Sequence, residues 1–163
     1  MDIISNWDKI KQHFNKSFRS NLHVSVASIT SDNIPTVTPI GSLFLNNDQT
    51  GFYFEKYPVK LPMYSKINKK ICVLAVNSNR WFWLNSLFRG KFKSYPGIKL
   101  YGELGEKRKA TEIEIKRLNR RMKMTKGMKG HKYLWENMKM IRELNFTDVE
   151  IINLGEMTRD LMN

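Results

Sequence analysis

The chain has 163 residues, 41% of them hydrophobic and 12% aromatic, which fits one globular domain over residues 1–163 and excludes a disordered chain. Its single cysteine, Cys72, excludes an internal disulfide framework and a cysteine-rich zinc site, and no apolar run approaches the roughly 20 residues of a membrane span. A formal net charge of +13 implies an anionic partner: nucleic acid, a phosphorylated ligand or a membrane surface.

Ser5-Asn6-Trp7-Asp8 reads as a capping box with Asp in place of Glu. Trp7, Ile10, Phe14 and Phe18 then recur at spacings of three and four, which predicts an amphipathic helix over 5–19 with His13 on its polar side. No secretory signal is visible in this polar, amphipathic start, so a reducing, cytoplasmic compartment is expected. Residues 21–29 alternate as a strand that buries Val24 and Val26, with Ala27 and Ile29 as further candidates; His23 at its start reads as structural. After a turn at 30–33, Val37, Ile40, Leu43 and Leu45 carry a second strand. Residues 46–51 are hairpin chemistry, because Asn, Asp and Gly tolerate positive φ. Phe52-Tyr53-Phe54 resumes the sheet, so the first three strands form an antiparallel meander.

A short helix over 60–70 is expected to pack through Met63 and Ile67 and to end on Lys69-Lys70. The continuous apolar run 71–76 predicts a central strand buried on both faces, with Cys72 an inert core residue. In 81–89, three successive aromatics cannot all face one core on either period. Some must meet another subunit, a ligand or a membrane. Residues 98–108 alternate as a strand. Thr111 and Glu114 form a capping box that opens a helix over 112–124, and Gly127 and Gly130 interrupt the helical pattern. Tyr133, Leu134, Trp135, Met138 and Ile141 mark another helix, and 146–154 a last strand. About six strands, with a helical insertion at about 110–142, suit a small closed barrel with helical decoration, which leaves no edge strand exposed.

Catalytic motifs are sparse. His13, His23 and His131 are scattered without metal-ligand spacing, and no phosphate-binding glycine loop or nucleophile elbow occurs. A thiol inside an apolar strand has a raised pKa and reacts poorly. If the chain is an enzyme, a bound cofactor carries the chemistry. Thr38, Gly41 and Ser42 lie opposite the cationic exit loop 57–60, an arrangement that could hold a flat ring against backbone and a phosphate at its end. An ordinary two-stranded hairpin explains the same residues. The eleven cations of 107–132 read either as a solvated helix face or, with the aromatic triplet, as a surface for single-stranded nucleic acid.

The strand-turn-strand VSVASITSDNIPTVTPIG, the aromatic strand GFYFEK with the Lys60 loop, and the segment KINKKICVLAV resemble the pyridoxamine 5'-phosphate oxidase-like, FMN-binding split-barrel family. The resemblance implies a six-stranded antiparallel split β-barrel with helices, of the α+β class, and a homodimer with FMN at the subunit interface. It implies that Thr38, Pro39, Ile40, Gly41 and Ser42 follow the flavin ring and ribityl chain, and that Phe54, Glu55 and Lys56 meet the same cofactor from the next strand. Lys60, with Leu61 beside it, would meet the phosphate, where the start of a helix leaves N–H donors free. The oxidases themselves carry an Arg on the first of these strands, an Arg-Lys pair in the basic loop and a substrate-binding Arg motif near the C-terminus. Here Thr36 and Thr38, a lone Lys60 and the ending GEMTRDLMN stand instead. These departures argue against vitamin B6 oxidation and leave an FMN-dependent oxidoreductase of unspecified substrate. The alternatives are haem or a deazaflavin in the same fold, or a basic nucleic-acid-binding module without catalysis.

Overall fold

Seven strands hydrogen-bond in the order β2-β1-β5-β6-β7-β4-β3, every pair antiparallel. They are β1 (Val24–Ile29), β2 (Pro35–Ile40), β3 (Leu43–Leu45), β4 (Thr50–Phe54), β5 (Lys70–Val76), β6 (Gly97–Lys109) and β7 (Met140–Ile151). β2 and β3 are the two edges of that order, yet only Gly41 and Ser42 separate them. Seven flat strands about 4.8 Å apart would put those edges roughly 29 Å from each other, whereas three Cα steps reach at most about 11 Å. The sheet therefore curls until its edges meet at Gly41–Ser42. The computed structural model describes residues 2–162.

The predicted second strand is thus one path bent into two strands, which makes seven strands rather than six. Its first half pairs with β1 and its second half with β4, so the expected meander of three neighbouring strands does not form. Thr36, Thr38 and Ile40 turn inward on β2, and Val37, one of the apolar residues that carried the predicted strand, is 61% exposed on the outer face. In the hairpin between β3 and β4 the positive φ falls on Gln49. Asn46 N–H donates to Thr50 O (2.9 Å), and the Thr50 hydroxyl donates to Asp48 Oδ1 (2.6 Å).

Two cores flank the curled sheet. The first lies inside it under helix α1 (Trp7–Asn21) and joins Trp7, Ile10, Phe14 and Phe18 to Val24, Val26, Leu43, Tyr53, Val73, Leu100 and Leu144. The second lies outside β3 and β4, where Phe44, Phe52, Phe54 and Ile141 meet Leu118 and Met122 beneath helix α4 (Glu112–Arg121). β3 and β4 are consequently buried on both faces, and Phe44 stacks on Phe52 with centroids 5.3 Å apart. β5, the strand expected to be buried on both faces, is instead half-buried on one: Cys72, Leu74 and Val76 are partly open. Burial still raises the Cys72 thiol pKa.

Several helix details depart from expectation. No side chain among the described residues caps α1; Ser5 N–H donates to Asp2 Oδ2 instead. His13 is buried (4% exposed), its Nε2 3.0 Å from Ala75 O and 3.0 Å from the Ser17 hydroxyl. With Ile10, Phe14, Ser17 and Phe18 it fills a stripe wider than the aromatic spacing indicates. Helix α2 (Lys60–Tyr64) is one turn long and packs through Leu61, leaving Met63 and Ile67 exposed. In helix α3 (Arg80–Arg89), Phe82 and Trp83 pack on Phe92, while Trp81 (79% exposed), Leu84, Leu87 and Phe88 (92% exposed) face outward. Thr111 and Glu114 do form the reciprocal capping box of α4. Helix α5 (Lys129–Trp135) ends six residues before Ile141, which belongs to β7. A last short helix, α6 (Arg159–Met162), ends the described chain. No helix among the described residues is long and apolar enough to cross a membrane.

Candidate cofactor site

The bend that closes the sheet also makes a groove. Thr38, Pro39, Ile40, Gly41 and Ser42 form one wall, Phe54 the floor, and Tyr57, Pro58, Leu134, Trp135 and Met138 the other side, around a volume of about 260 Å³. Six of the ten residues expected at a cofactor therefore meet in one place. The Thr38 hydroxyl makes no hydrogen bond among the described residues and is available to a ligand. The Ser42 hydroxyl is already engaged: it donates to Phe54 O and accepts from Phe54 N–H, both at 3.2 Å, and so pins the bend to β4.

Gly41 shows how close a ring comes to this backbone. A Cβ built there would lie 3.0 Å from Cη2 of Trp135 and 3.5 Å from Leu22 O. The approach expected of a flavin is made by the protein's own indole. Trp135 is held by the segment around it. Lys56 Nζ donates to Tyr133 O (2.9 Å) and Glu136 O (2.8 Å), and the Tyr57 hydroxyl donates to Tyr133 O as well. The exit loop of β4 is thereby tied to α5.

The remaining expected residues sit away from the groove. Lys60 is exposed at the first position of α2, and Leu61 beside it is buried in the inner core. The Glu55 carboxylate is buried between Arg142 and Lys107, the latter at 2.9 Å, and accepts from the Tyr53 hydroxyl (3.2 Å). Burial works against its ionisation, but these hydrogen bonds and charges prevail and hold it below the usual carboxylate range. Burial, followed by the charge of Glu55, raises the Tyr53 phenol far above its ordinary value. No cluster of three or more possible metal ligands occurs among the described residues.

For a flavin the fit is partial. The groove offers flat backbone at Gly41, a free hydroxyl at Thr38 and an aromatic floor, but about 260 Å³ falls below the roughly 300–1,000 Å³ of enclosed ligand pockets. Enclosing a flavin requires Trp135 to move aside or a second surface to complete the wall. Sequence reasoning had the exit loop 57–60 opposite this strand but missed Leu134, Trp135 and Met138, because it assigned 133–141 to a helix with its own packing. The available signal was the Tyr133-Leu134-Trp135 run shortly after Gly130, more apolar surface than a seven-residue helix buries.

No protein-family model matches the sequence, and no curated protein matches it. Solved structures match along most of the chain. An FMN-binding protein from Syntrophomonas wolfei aligns over 93% of this chain and 91% of its own, with TM-score 0.62 and 14% identity. A Listeria innocua protein, described provisionally as a pyridoxamine 5'-phosphate oxidase, aligns over 90% and 97% with TM-score 0.56 and 12% identity. HutZ, the haem storage protein of Vibrio cholerae, aligns over 93% and 95% with TM-score 0.52 and 8% identity. Identities this low establish the shared fold: the chain has the split-barrel fold of the FMN-binding, pyridoxamine 5'-phosphate oxidase-like proteins.

Proposed function

We propose that the chain binds FMN in the groove between β2 and α5 and serves as a flavin-dependent oxidoreductase acting on a small molecule. The observation that carries this reading is the convergence of Thr38–Ser42 and Phe54 on one groove at the closure of the sheet, in a fold shared with an FMN-binding protein. Gly41 and Phe54 would lie along the ring, Thr38 would hydrogen-bond it, and Lys60 with the free N–H groups opening α2 would take the phosphate. Bound FMN would supply hydride transfer at its N5; the chain's part is to orient the ring and exclude water. The groove is too small to enclose a flavin alone, and α3 presents Trp81, Leu84, Leu87 and Phe88 to solvent. Both features suit a homodimer that completes the site. The single thiol suits a reducing compartment, and we place the activity in the cytoplasm.

The test is an FMN titration of the parent, Lys60→Ala and Lys123→Ala. A charge-assisted phosphate contact contributes about 1.5–3 kcal/mol, so Lys60→Ala should weaken binding about tenfold or more. Lys123 is exposed in the 3₁₀ turn after α4, and its removal should change little. Equal affinities for the two variants would remove Lys60 from the site. Saturable binding of haem or a deazaflavin in place of FMN would replace the cofactor assignment.

A further inference from the structure

The basic run 107–132 does not form one solvated face. Lys107 is paired with Glu55, and Arg108 with Glu114 and Glu143. Arg117 and Arg121 turn from α4 back onto β3. Arg117 donates to Asn46 Oδ1 (2.8 Å) and Leu45 O (2.7 Å), and Arg121 donates to Leu43 O (2.6 Å). The Arg121 guanidinium carbon lies 3.5 Å from the centre of the Phe44 ring and 4.0 Å from that of Phe18. Arg19, from the last turn of α1, and Arg120 complete a cluster of four guanidiniums around an open cavity of about 510 Å³. Among the described residues, no carboxylate stands within ion-pairing distance of any of the four.

Such a cluster is costly without an anion. Burial, then the neighbouring charge of Arg117, pushes Arg121 down to about 9, and Arg117 is lowered as well, chiefly by burial. The carbonyls and ring faces fix the guanidinium planes without neutralising them. An arginine carries five N–H donors; Arg117 uses two and Arg121 one, so donors remain on both for a ligand. Fixed, planar, unpaired guanidiniums suit bidentate contact with phosphate oxygens.

We propose that this cavity between α1, β3 and α4 is a binding site for a small phosphorylated molecule carrying two or more negative charges, such as a diphosphate. Its shape favours a small ligand over a polymer: the four cations converge on one concavity of ordinary ligand-pocket volume rather than following a line. The site is separate from the cofactor groove, with which it shares no lining residue.

Titration calorimetry of the full chain with inorganic pyrophosphate, at physiological ionic strength, tests the proposal. The variants are the pair Arg19→Gln with Arg120→Gln, both exposed and with side chains that make no hydrogen bond among the described residues, and the control Lys109→Gln at the end of β6. The parent should bind one pyrophosphate per chain. The double variant should bind at least about tenfold more weakly, with a melting temperature before ligand is added that is unchanged or raised as repulsion is relieved, and the control should match the parent. Absence of saturable binding, or an equal loss in Lys109→Gln, would overturn the site. So would a fall in FMN affinity in the double variant with competition between FMN and pyrophosphate, because the cavity would then serve the cofactor's own phosphate. A single-stranded oligonucleotide that displaces pyrophosphate and binds more tightly, with the same loss in the double variant, would overturn the small-ligand assignment in favour of nucleic acid.

Discussion

Gly41→Val separates the two roles that meet at the bend. The backbone φ at Gly41 lies outside the left-handed region, so a side chain there strains nothing locally. The cost arises at the indole: the new Cβ comes 3.0 Å from Trp135 Cη2, and two γ-methyls extend beyond it. Overpacking of this kind costs about 1–3 kcal/mol, offset by about 0.5–1 kcal/mol from removing glycine's extra freedom in the unfolded chain. The net loss is about 0–2.5 kcal/mol. Once Trp135 is reduced to Ala the clash has no partner, and Gly41→Val should become neutral or slightly stabilising. Urea unfolding of the parent, both single variants and the double variant should therefore show a coupling equal to the clash itself, about 1–3 kcal/mol. Additivity within about 0.5 kcal/mol would mean that the indole does not rest on Gly41. FMN titration of the same four proteins adds the functional half. If the ring lies on this backbone, Gly41→Val weakens FMN in both backgrounds; recovery in the Trp135→Ala background would show that the valine acts only through the indole.

His13 is held neutral: burial leads, and Lys16 adds to the lowering of its pKa from 6.5. A depressed histidine pKa means that the unfolded chain binds the proton more readily, so stability is complete above about pH 6.5 and declines as pH falls below it. Unfolding free energies of the parent and His13→Gln from pH 7.5 to 5 should converge as pH falls, and parallel curves would contradict the assignment. Ser28 Oγ is buried without a hydrogen-bond partner among the described residues, so Ser28→Ala should stabilise the chain by about 1 kcal/mol, read as a higher urea midpoint; destabilisation would show that the hydroxyl has a partner. Light scattering at micromolar concentration should give the mass of a dimer, lost when Trp81 and Phe88 are both changed to Ser; a monomeric parent would contradict the proposed use of the α3 face.

The parts of the fold that depend on local periodicity were legible. Trp7, Ile10, Phe14 and Phe18 located α1 and its buried stripe, and Thr111 with Glu114 located the start of α4. Alternation of Ile98, Leu100, Gly102 and Leu104 located the inner face of β6, where a Cβ on Gly102 would lie 2.1 Å from Asn145 O. The features that escaped depend on tertiary closure. Nothing in 35–45 marks the bend at Gly41–Ser42, because those residues also suit a continuous strand. His13 was misplaced because its burial comes from the Ala75 carbonyl, 62 positions away. Ile141 was assigned to a helix because an apolar residue three after Met138 fits a helical period as well as the start of a strand. At the candidate site, Thr38, Gly41 and Ser42 were grouped from the strand pattern, and Pro39, Ile40 and Phe54 joined them only through the family resemblance. The opposing wall from α5 could not, since it depends on Lys56 and Tyr57 reaching carbonyls nearly 80 residues away. The arginine cavity was hidden for a related reason: composition shows how many cations a helix carries, but not which of them turn inward.

The central claim, that this split barrel holds FMN at Gly41–Ser42, is tested most directly by the visible absorbance spectrum of the purified protein before and after addition of FMN and removal of the excess. A flavin spectrum retained at close to one FMN per chain is expected, accompanied by quenching of tryptophan fluorescence that is reduced in Trp135→Ala. A protein that retains no flavin, or that retains it with no contribution from Trp135 to the quenching, would contradict that claim.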